Sequence, residues 1–400
     1  MKIVKLNVIA LAIVIAVASC SMGKKNAKAI DTGKMLDYCV AKTVATMNSL
    51  TAADSLPRNI YPGQTRWNKV GINDWTSGFW PGILWYAFEA SGDSSILENA
   101  QKFTGPLHGV LDVPVDNHDL GFIFYCSYGN GNRLKPDSAY HKVLLAAADS
   151  LITLFNPQVG TILSWPAMRA KMNWPHNTII DNLINLELLF WASKNGGTQN
   201  HYDIAVKHAE TCIKTLVRPD YTTFHVAVFD TVDGHFIKGV THQGYADSSM
   251  WARGQAWGIY GYSMCFRETG KPEFLETAQK LADVFISRLP EDGIPYWDFD
   301  DPAIPNTSKD ASAAAIAASG MLELSGLVRD EVAKAKYKNA AVTLLAKLST
   351  PEYLSGDKNQ AFLLHSTGHR PNGTEIDASI NYADYYYLEA LLRLKKMVNR

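Results

Sequence analysis

Long hydrophobic runs are almost absent from this chain of 400 residues. Beyond the first 20 positions no segment is apolar enough, for long enough, to read as a membrane-spanning helix. Cysteine is scarce, and the five present form no C-x-x-C pair and no Cys/His spacing suited to zinc. Cys39, Cys126, Cys212 and Cys265 each fall in an apolar helical pattern and read as small core residues. Net charge is missing as well. The 38 basic and 39 acidic residues leave a formal charge of −1, which excludes the broad cationic footprint of a nucleic-acid-binding protein. No D-x-D-x-D-G calcium loop occurs, and no metal or other cofactor is expected. Nothing repeats at a fixed period of 20–50 residues, which argues against a two-layer α-solenoid.

What is present begins with a targeting segment. "MKIVKLNVIALAIVIAVASC" carries two lysines, an apolar run and small residues ending at Cys20, the layout of a bacterial export signal. Ala-Ser-Cys resembles a lipobox, so Cys20 is expected to become the lipidated first residue of the mature chain. An ordinary cleaved signal with an incidental cysteine is the alternative. Residues 1–20 are thus read as a lipoprotein signal, 21–32 as a flexible linker and 33–400 as the catalytic domain. The following "SMGKK" has no acidic cluster of the kind associated with surface export. The expected location is the periplasm, with the membrane reached only through a lipid anchor in the outer membrane.

The rest alternates between two kinds of helix. Segments at about 33–50, 93–104, 138–155, 202–217, 272–289 and 331–348 are amphipathic. In "PEFLETAQKLADVFISRL", Phe274, Ala278, Leu281, Phe285 and Leu289 recur three or four apart with charges between them. Each is followed by a segment apolar nearly all round: "NDWTSGFWPGILWYAF", "DNHDLGFIFYCSY", "NTIIDNLINLELLFWA", "SSMWARGQAWGIYGYSM", "DASAAAIAASGMLEL" and "INYADYYYLEALLRL". Six exposed-type helices alternating with six buried-type helices predict an all-α (α/α)6 barrel of six helical hairpins. Strand signals are few; "TFHVAVFDTVDGHFIKG" reads as one hairpin.

Unusual residues gather where the buried helices begin: Trp75, His118, Asp119, Asp181, Trp251, Arg253, Trp257 and Tyr382. In a closed ring of hairpins these ends share one mouth. Asp181 is the sharpest anomaly, a carboxylate among Ile179, Ile180, Leu183 and Ile184. Burying such a group unpaired is costly and drives its pKa up. Asn177 or Thr178 is expected to cap its helix, placing Asp181 in the first turn; Asn117 can likewise cap the segment carrying Asp119. Two carboxyls sharing one pocket raise each other's proton affinity, so one remains protonated near neutral pH, as a general acid requires.

The stretches "WTSGFWPGILW", "HDLGF", "IIDNLINLELLFWA", "THQGYADSSMWARGQAWGIYGY" and "EIDASINYADYYYLEAL", in this order over residues 35–395, resemble the unsaturated glucuronyl hydrolases of glycoside hydrolase family 88. A related group, the unsaturated rhamnogalacturonyl hydrolases of family 105, shares fold and chemistry; the two acids favour the glucuronyl group. The resemblance implies a substrate left by a polysaccharide lyase, with a 4,5-unsaturated uronic acid at its non-reducing end. It implies hydration of the enol ether rather than direct displacement at the anomeric carbon. Asp181 would protonate C4 and then activate water, and Asp119 would be the second essential carboxyl. His118, Trp75, Trp165, His225, Gln243, Arg253, Trp257 and Tyr382 would bind substrate, with Trp257 at the pocket floor. Arg253, inside an apolar helix, needs a partner such as a carboxylate. The loop "HSTGHRPNGTEID" precedes the last buried helix and is expected to overhang the same mouth. Other classes stay open: a sugar epimerase or endo-acting glycosidase on this scaffold, or a catalytically silent binding lipoprotein.

Overall fold

A computed structural model describes residues 30–398. Cys20 and most of the expected linker lie outside the described residues. The first helix begins at the linker's last expected residue, and Ile30 already packs against the core.

The helices are α1 (Thr32–Ser49), α2 (Phe79–Ser91), α3 (Ser94–Thr104), α4 (Asn130–Leu134), α5 (Ser138–Ile152), α6 (Met168–Lys171), α7 (Asn182–Lys194), α8 (Gln199–Thr215), α9 (Ala252–Thr269), α10 (Pro272–Arg288), α11 (Ala311–Leu327), α12 (Glu331–Leu348) and α13 (Asn381–Val398). A π-helix, Gly121–Gly129, runs directly into α4 and completes the second inner helix. The expected inner segment there is therefore helical with a wider turn. π-Turns recur at functional sites, and this one starts two residues after Asp119.

Six elements close an inner ring in the order α2, π-helix, α7, α9, α11, α13 and back to α2. The amphipathic α1, α3, α5, α8, α10 and α12 pack outside it. This is the (α/α)6 barrel expected from the alternation, and the six outer helices fall close to their expected bounds. One contiguous hydrophobic cluster fills the space between the layers. The free, buried cysteines at 39, 126, 212 and 265 belong to that cluster.

The two ends of the barrel differ. Inner helices lead into the next outer helix through short turns, such as Gly92–Asp93 and Gly270–Lys271. Gly92 and Gly270 adopt φ of 72° and 69° at the helix C-termini, a conformation that glycine takes without a Cβ penalty. Outer helices return to the inner ring through long connections, which gather over the other end with the strands of the described residues. These are β1 (Leu56–Ile60), β2 (Asn68–Val70), β3 (Phe155–Asn156), β4 (Thr161–Ile162), β5 (His176–Ile179), β6 (Val226–Phe229), β7 (Phe236–Val240) and β8 (Ser379–Ile380). They form antiparallel sheets ordered β2-β1-β8, β3-β4 and β5-β6-β7.

The expected hairpin is β6–β7, but β5 joins it, and this corrects the reading of "NTIIDNLINLELLFWA" as one helix. Asn177, Thr178 and Ile179 pair with Val228, Ala227 and Val226. The β-branched side chains suit that strand, so α7 starts only at Asn182 and neither Asn177 nor Thr178 caps it.

Where α7 crosses the π-helix the backbones nearly touch: a Cβ on Gly121 would run into Asn185. Gly326, in the last turn of α11, has open space around it. We expect Gly121→Ala to destabilise by about 1–3 kcal/mol through overpacking, and Gly326→Ala to stabilise by roughly 0.5–1 kcal/mol through helix propensity. Thermal unfolding of the two variants checks this; equal shifts would show that the close crossing is not tight.

Candidate active site

Asp181 occupies the N-cap position of α7 with φ −61° and ψ −27°, and its side chain caps nothing. The strand before it sets its place. Ile180 N–H donates to the His225 carbonyl at 3.0 Å, carrying the β5–β6 ladder one step past the strands. That step brings the His225 ring to Asp181, with Nε2 3.9 Å from Oδ1. The His225 ring is held from its other side, because Nδ1 accepts from the backbone N–H groups of His242 and Gln243, both at 3.1 Å.

Asp119 comes from the neighbouring hairpin. Asn117 Oδ1 accepts from Asp119 N–H at 2.8 Å, so Asn117 turns the chain as a cap would. His118 N–H donates to the Ser164 carbonyl at 3.2 Å, and His118 Nε2 lies 3.5 Å from Asp119 Oδ1. Asn185, one turn past Asp181 on α7, spans the gap. Its Oδ1 accepts from Phe122 N–H at 2.9 Å, and its Nδ2 is 3.4 Å from His118 Nδ1. The two carboxyls thus sit on adjacent inner elements locked together by one asparagine.

The other residues singled out from sequence surround this pair. Trp165, whose backbone is clamped at both polar groups by Asn177 at 3.0 Å, sets its ring edge-on to His118 and His225. Trp75 lies 5.3 Å from Tyr382 between ring centroids. Trp257, fully buried, packs on Phe122 and Tyr386 and forms the floor. Arg253 lies over the rings of Trp251 and Tyr382, 4.5 and 5.4 Å from their centroids. Its partner is within the protein: Asp310 Oδ2 at 3.0 Å, with the carbonyls of Thr367 at 2.5 Å and Gly368 at 2.6 Å. Gln243 Nε2 donates to the same Gly368 carbonyl at 3.3 Å. The loop 365–377 therefore does cover this mouth. His365 and His369, four apart in that loop, part company: His365 pairs with Asp377 at 2.6 Å, and His369 Nε2 meets His242 Nε2 at 3.3 Å.

Burial decides the electrostatics. Asp181 is 8% exposed and Asp119 7%. Desolvation raises Asp181 to about 7, although Arg253 pulls the other way and a helix N-terminus favours an anion. Asp119 is pushed well above the usual carboxylate range by burial and then by the charge of Asp181. Burial lowers His118 to about 3 and holds His225 well below its ordinary value. Both imidazoles are therefore neutral near pH 7, and the His118–Asp119 and His225–Asp181 contacts are not ion pairs. Asp181 Oδ1, His118 Nε2, His225 Nε2 and Trp257 Nε1 are all buried without a hydrogen-bond partner among the described residues. Such groups are rare in native interiors, and those of Asp181 and His225 lie 3.9 Å apart.

Sequence reasoning did not assign Asn182 and Asn185, Asp310, His242 or Glu375. The asparagines stand out only as polar residues in an apolar helix. Asp310 reads as an ordinary cap, a role it also fills through Ser312 N–H at 3.0 Å. Glu375 accepts from Asn59 Nδ2 at 2.6 Å and Arg58 Nε at 3.0 Å, partners more than 300 positions away that no local pattern reveals.

Residues 42–393 match the model of Glycosyl Hydrolase Family 88. The chain is 42% identical over 360 residues to an unsaturated glucuronyl hydrolase of Formosa agariphila, covering 88% of each protein. It is 38% identical over 339 residues to an unsaturated glucuronyl hydrolase of a Bacillus species, covering 83% of this chain and 89% of that one. A crystal structure of an unsaturated glucuronyl hydrolase specific for heparin superimposes with a TM-score of 0.87 at 41% identity, over 92% of this chain and 98% of that one.

The raised pKa of Asp181 has a stability consequence of definite sign. Below about pH 4 the carboxyl is protonated whether the chain is folded or not. Between there and about 7 the unfolded chain ionises while the folded one resists, so wild type loses stability as pH rises through that window, and the loss then levels off. Asp181→Asn has no such term. The variant should gain roughly 2 °C or more in Tm over wild type at pH 8, with the gain disappearing near pH 4. A pH-independent difference in calorimetric Tm would contradict a buried, proton-retaining Asp181.

Proposed function

The chain belongs to glycosyl hydrolase family 88, and we infer that it removes the 4,5-unsaturated uronic acid from the non-reducing end of oligosaccharides left by polysaccharide lyases. The observation that carries this reading is the pair of buried carboxyls, Asp181 and Asp119, both held toward their protonated forms at one aromatic-walled mouth. The names of the Formosa and Bacillus relatives support the same activity. The names of relatives called unsaturated chondroitin disaccharide hydrolase, at 34–35% identity, and of the heparin-specific structure support glycosaminoglycan fragments as one substrate class.

The chemistry follows from the proton inventory. Protonated Asp181 delivers its proton to C4 of the enol ether, and positive charge develops at C5 and the ring oxygen. The carboxylate left behind takes a proton from the water that adds at C5. The product is a hemiketal, which opens and releases the leaving sugar, while Asp181 ends protonated as it began. Asp119, close enough for Asp181 to raise its pKa, keeps the pair from holding two negative charges and orients the sugar. The neutral rings of His118 and His225 offer uncharged polar atoms to hydroxyl groups. Trp75 and Trp165 supply flat apolar faces for the sugar rings. Arg253, compensated by Asp310, anchors the covering loop through Thr367 and Gly368 while its charge favours an anionic ring in the pocket.

We also propose that Cys20 is lipidated and tethers the enzyme to the outer membrane on its periplasmic side, a reading supported by the leader's layout alone. Cys20→Ala should leave unlipidated precursor, seen by metabolic labelling with a fatty acid. Wild-type protein that is wholly soluble, with an ordinary cleaved N-terminus, would reject the tether.

The activity is tested by following loss of the ultraviolet absorbance of the enol ether in lyase-generated disaccharides. Asp181→Asn keeps the shape but cannot transfer a proton, so turnover should fall by roughly 100-fold or more, with substrate binding nearly intact. Asp119→Asn should also be severely impaired. For wild type, kcat/KM should decline as pH rises past about 7, because the general acid is then ionised. Retention of a tenth of the rate by Asp181→Asn, or an undiminished rate at pH 9, would remove Asp181 from the acid role.

A further inference from the structure

The inner helices end at a second mouth, the one spanned only by short turns. There a cavity of about 420 Å³ enters the barrel between α2, the π-helix, α7, α9 and α13 and reaches Gly121. That volume is within the range of small-molecule sites. Glu187 on its wall lies six residues beyond Asp181 on α7, roughly 9 Å further along the helix axis, so this is not the catalytic pocket. Trp257 and Tyr386, with ring centroids 5.2 Å apart, form the partition: Trp257 floors the catalytic mouth and Tyr386 lines the far cavity.

Three properties of the wall define what it takes. First, it is aromatic, with Tyr86, Tyr125, Tyr260, Tyr385 and Tyr386 around it. Second, its charges cancel. Glu89 accepts from Arg133 and from Lys396, each at 2.6 Å. Glu389 accepts from Tyr86 at 2.7 Å and Tyr260 at 3.1 Å, with Arg393 at 3.4 Å, and Glu187 pairs with Arg267. A charged ligand would find no unpaired counter-charge among the described residues of this wall. Third, hydrogen-bonding capacity remains. Among the described residues Glu187 is bonded through Oε1 alone, and burial raises its carboxyl to about 7 in spite of Arg267. The Tyr386 hydroxyl, on a residue only 1% exposed, takes part in no hydrogen bond among the described residues.

We propose that the far cavity is a second, non-catalytic binding site for a neutral, hydroxyl-rich sugar of one or two rings. Hydroxyl groups satisfy Glu187 and Tyr386 as donors or acceptors, and the C–H faces of the rings lie against the tyrosines. Arg133 and Lys396, both substantially exposed, mark the entrance. The proposal is independent of the reaction at the other mouth.

The test uses the full chain and three neutral probes, glucose, N-acetylgalactosamine and maltose, with glucuronate and glucosamine as charged controls. Calorimetric titration and crystal soaking should show at least one neutral probe bound in the far cavity, with the charged controls weaker. Leu392→Trp fills the cavity beside α13 and should weaken that binding at least tenfold. Tyr386→Phe, nearly isosteric and so the safer variant for folding, should weaken it about threefold or more. Hydrolysis of unsaturated disaccharides by Leu392→Trp should stay within about twofold of wild type, since Leu392 lines the far cavity. Absence of neutral-probe binding in the cavity at about 50 mM, affinity unchanged in both variants, or preference for a charged control would each overturn the proposal.

Discussion

The catalytic mouth depends on one backbone hydrogen bond, from Ile180 N–H to the His225 carbonyl. It continues the β5–β6 ladder past its last strand pair and forces two chain segments, more than 40 positions apart, to arrive together. Without it α7 would have no reason to begin at Asn182, and Asp181 would move up into the first helical turn. With it, Asp181 stands at the end of a strand and the start of a helix. Its backbone is then held from both sides and its carboxyl is left unbonded at Oδ1. Asn185 extends the same constraint to the next inner element by binding Phe122 N–H, where Gly121 permits the close crossing.

The two mouths of the barrel show how the same helices can be put to opposite electrostatic uses. At the far end the acids meet bases and hydroxyls: Glu389 takes bonds from two tyrosines, and Arg393 is shared between Glu323 and Tyr260. At the catalytic end the polar atoms nearest Asp181 are withheld from one another, and the histidines beside both acids are neutral. A paired carboxylate would be a stable anion and a poor proton donor. Desolvation outweighs both the helix N-terminus and Arg253 because the side chain is almost fully enclosed. The arrangement costs the fold stability, a pattern expected of sites whose groups must change protonation state.

Arg253 shows why a buried charge read from sequence alone is ambiguous. In an apolar helix it calls for an anion, and a substrate carboxylate is one answer. The structure supplies Asp310 and two carbonyls of the loop 365–377, so the guanidinium first holds the cover of the mouth in place. No empty binding fork is left on the guanidinium nitrogens that hold Asp310, Thr367 and Gly368.

Much was legible in the order of residues. Alternation of amphipathic with wholly apolar segments determined the six hairpins, because a helix with no polar face must be inside and one with a charged face must be outside. Asp181 stood out among isoleucines and leucines, since an acid is costly there, and its carboxyl is buried. The motif order pointed to the family. Other features were decided only in the tertiary structure. The segment before Asp181 carries apolar residues at spacings that suit either a helix or a buried strand, and only pairing with β6 makes it a strand. The capture of Arg253 by Asp310 and the Arg58–Glu375 contact join positions remote in sequence, and the widened turns after Asp119 form where the π-helix crosses α7. Local periodicity reports which face of an element is buried; which neighbour buries it is settled when the ring closes.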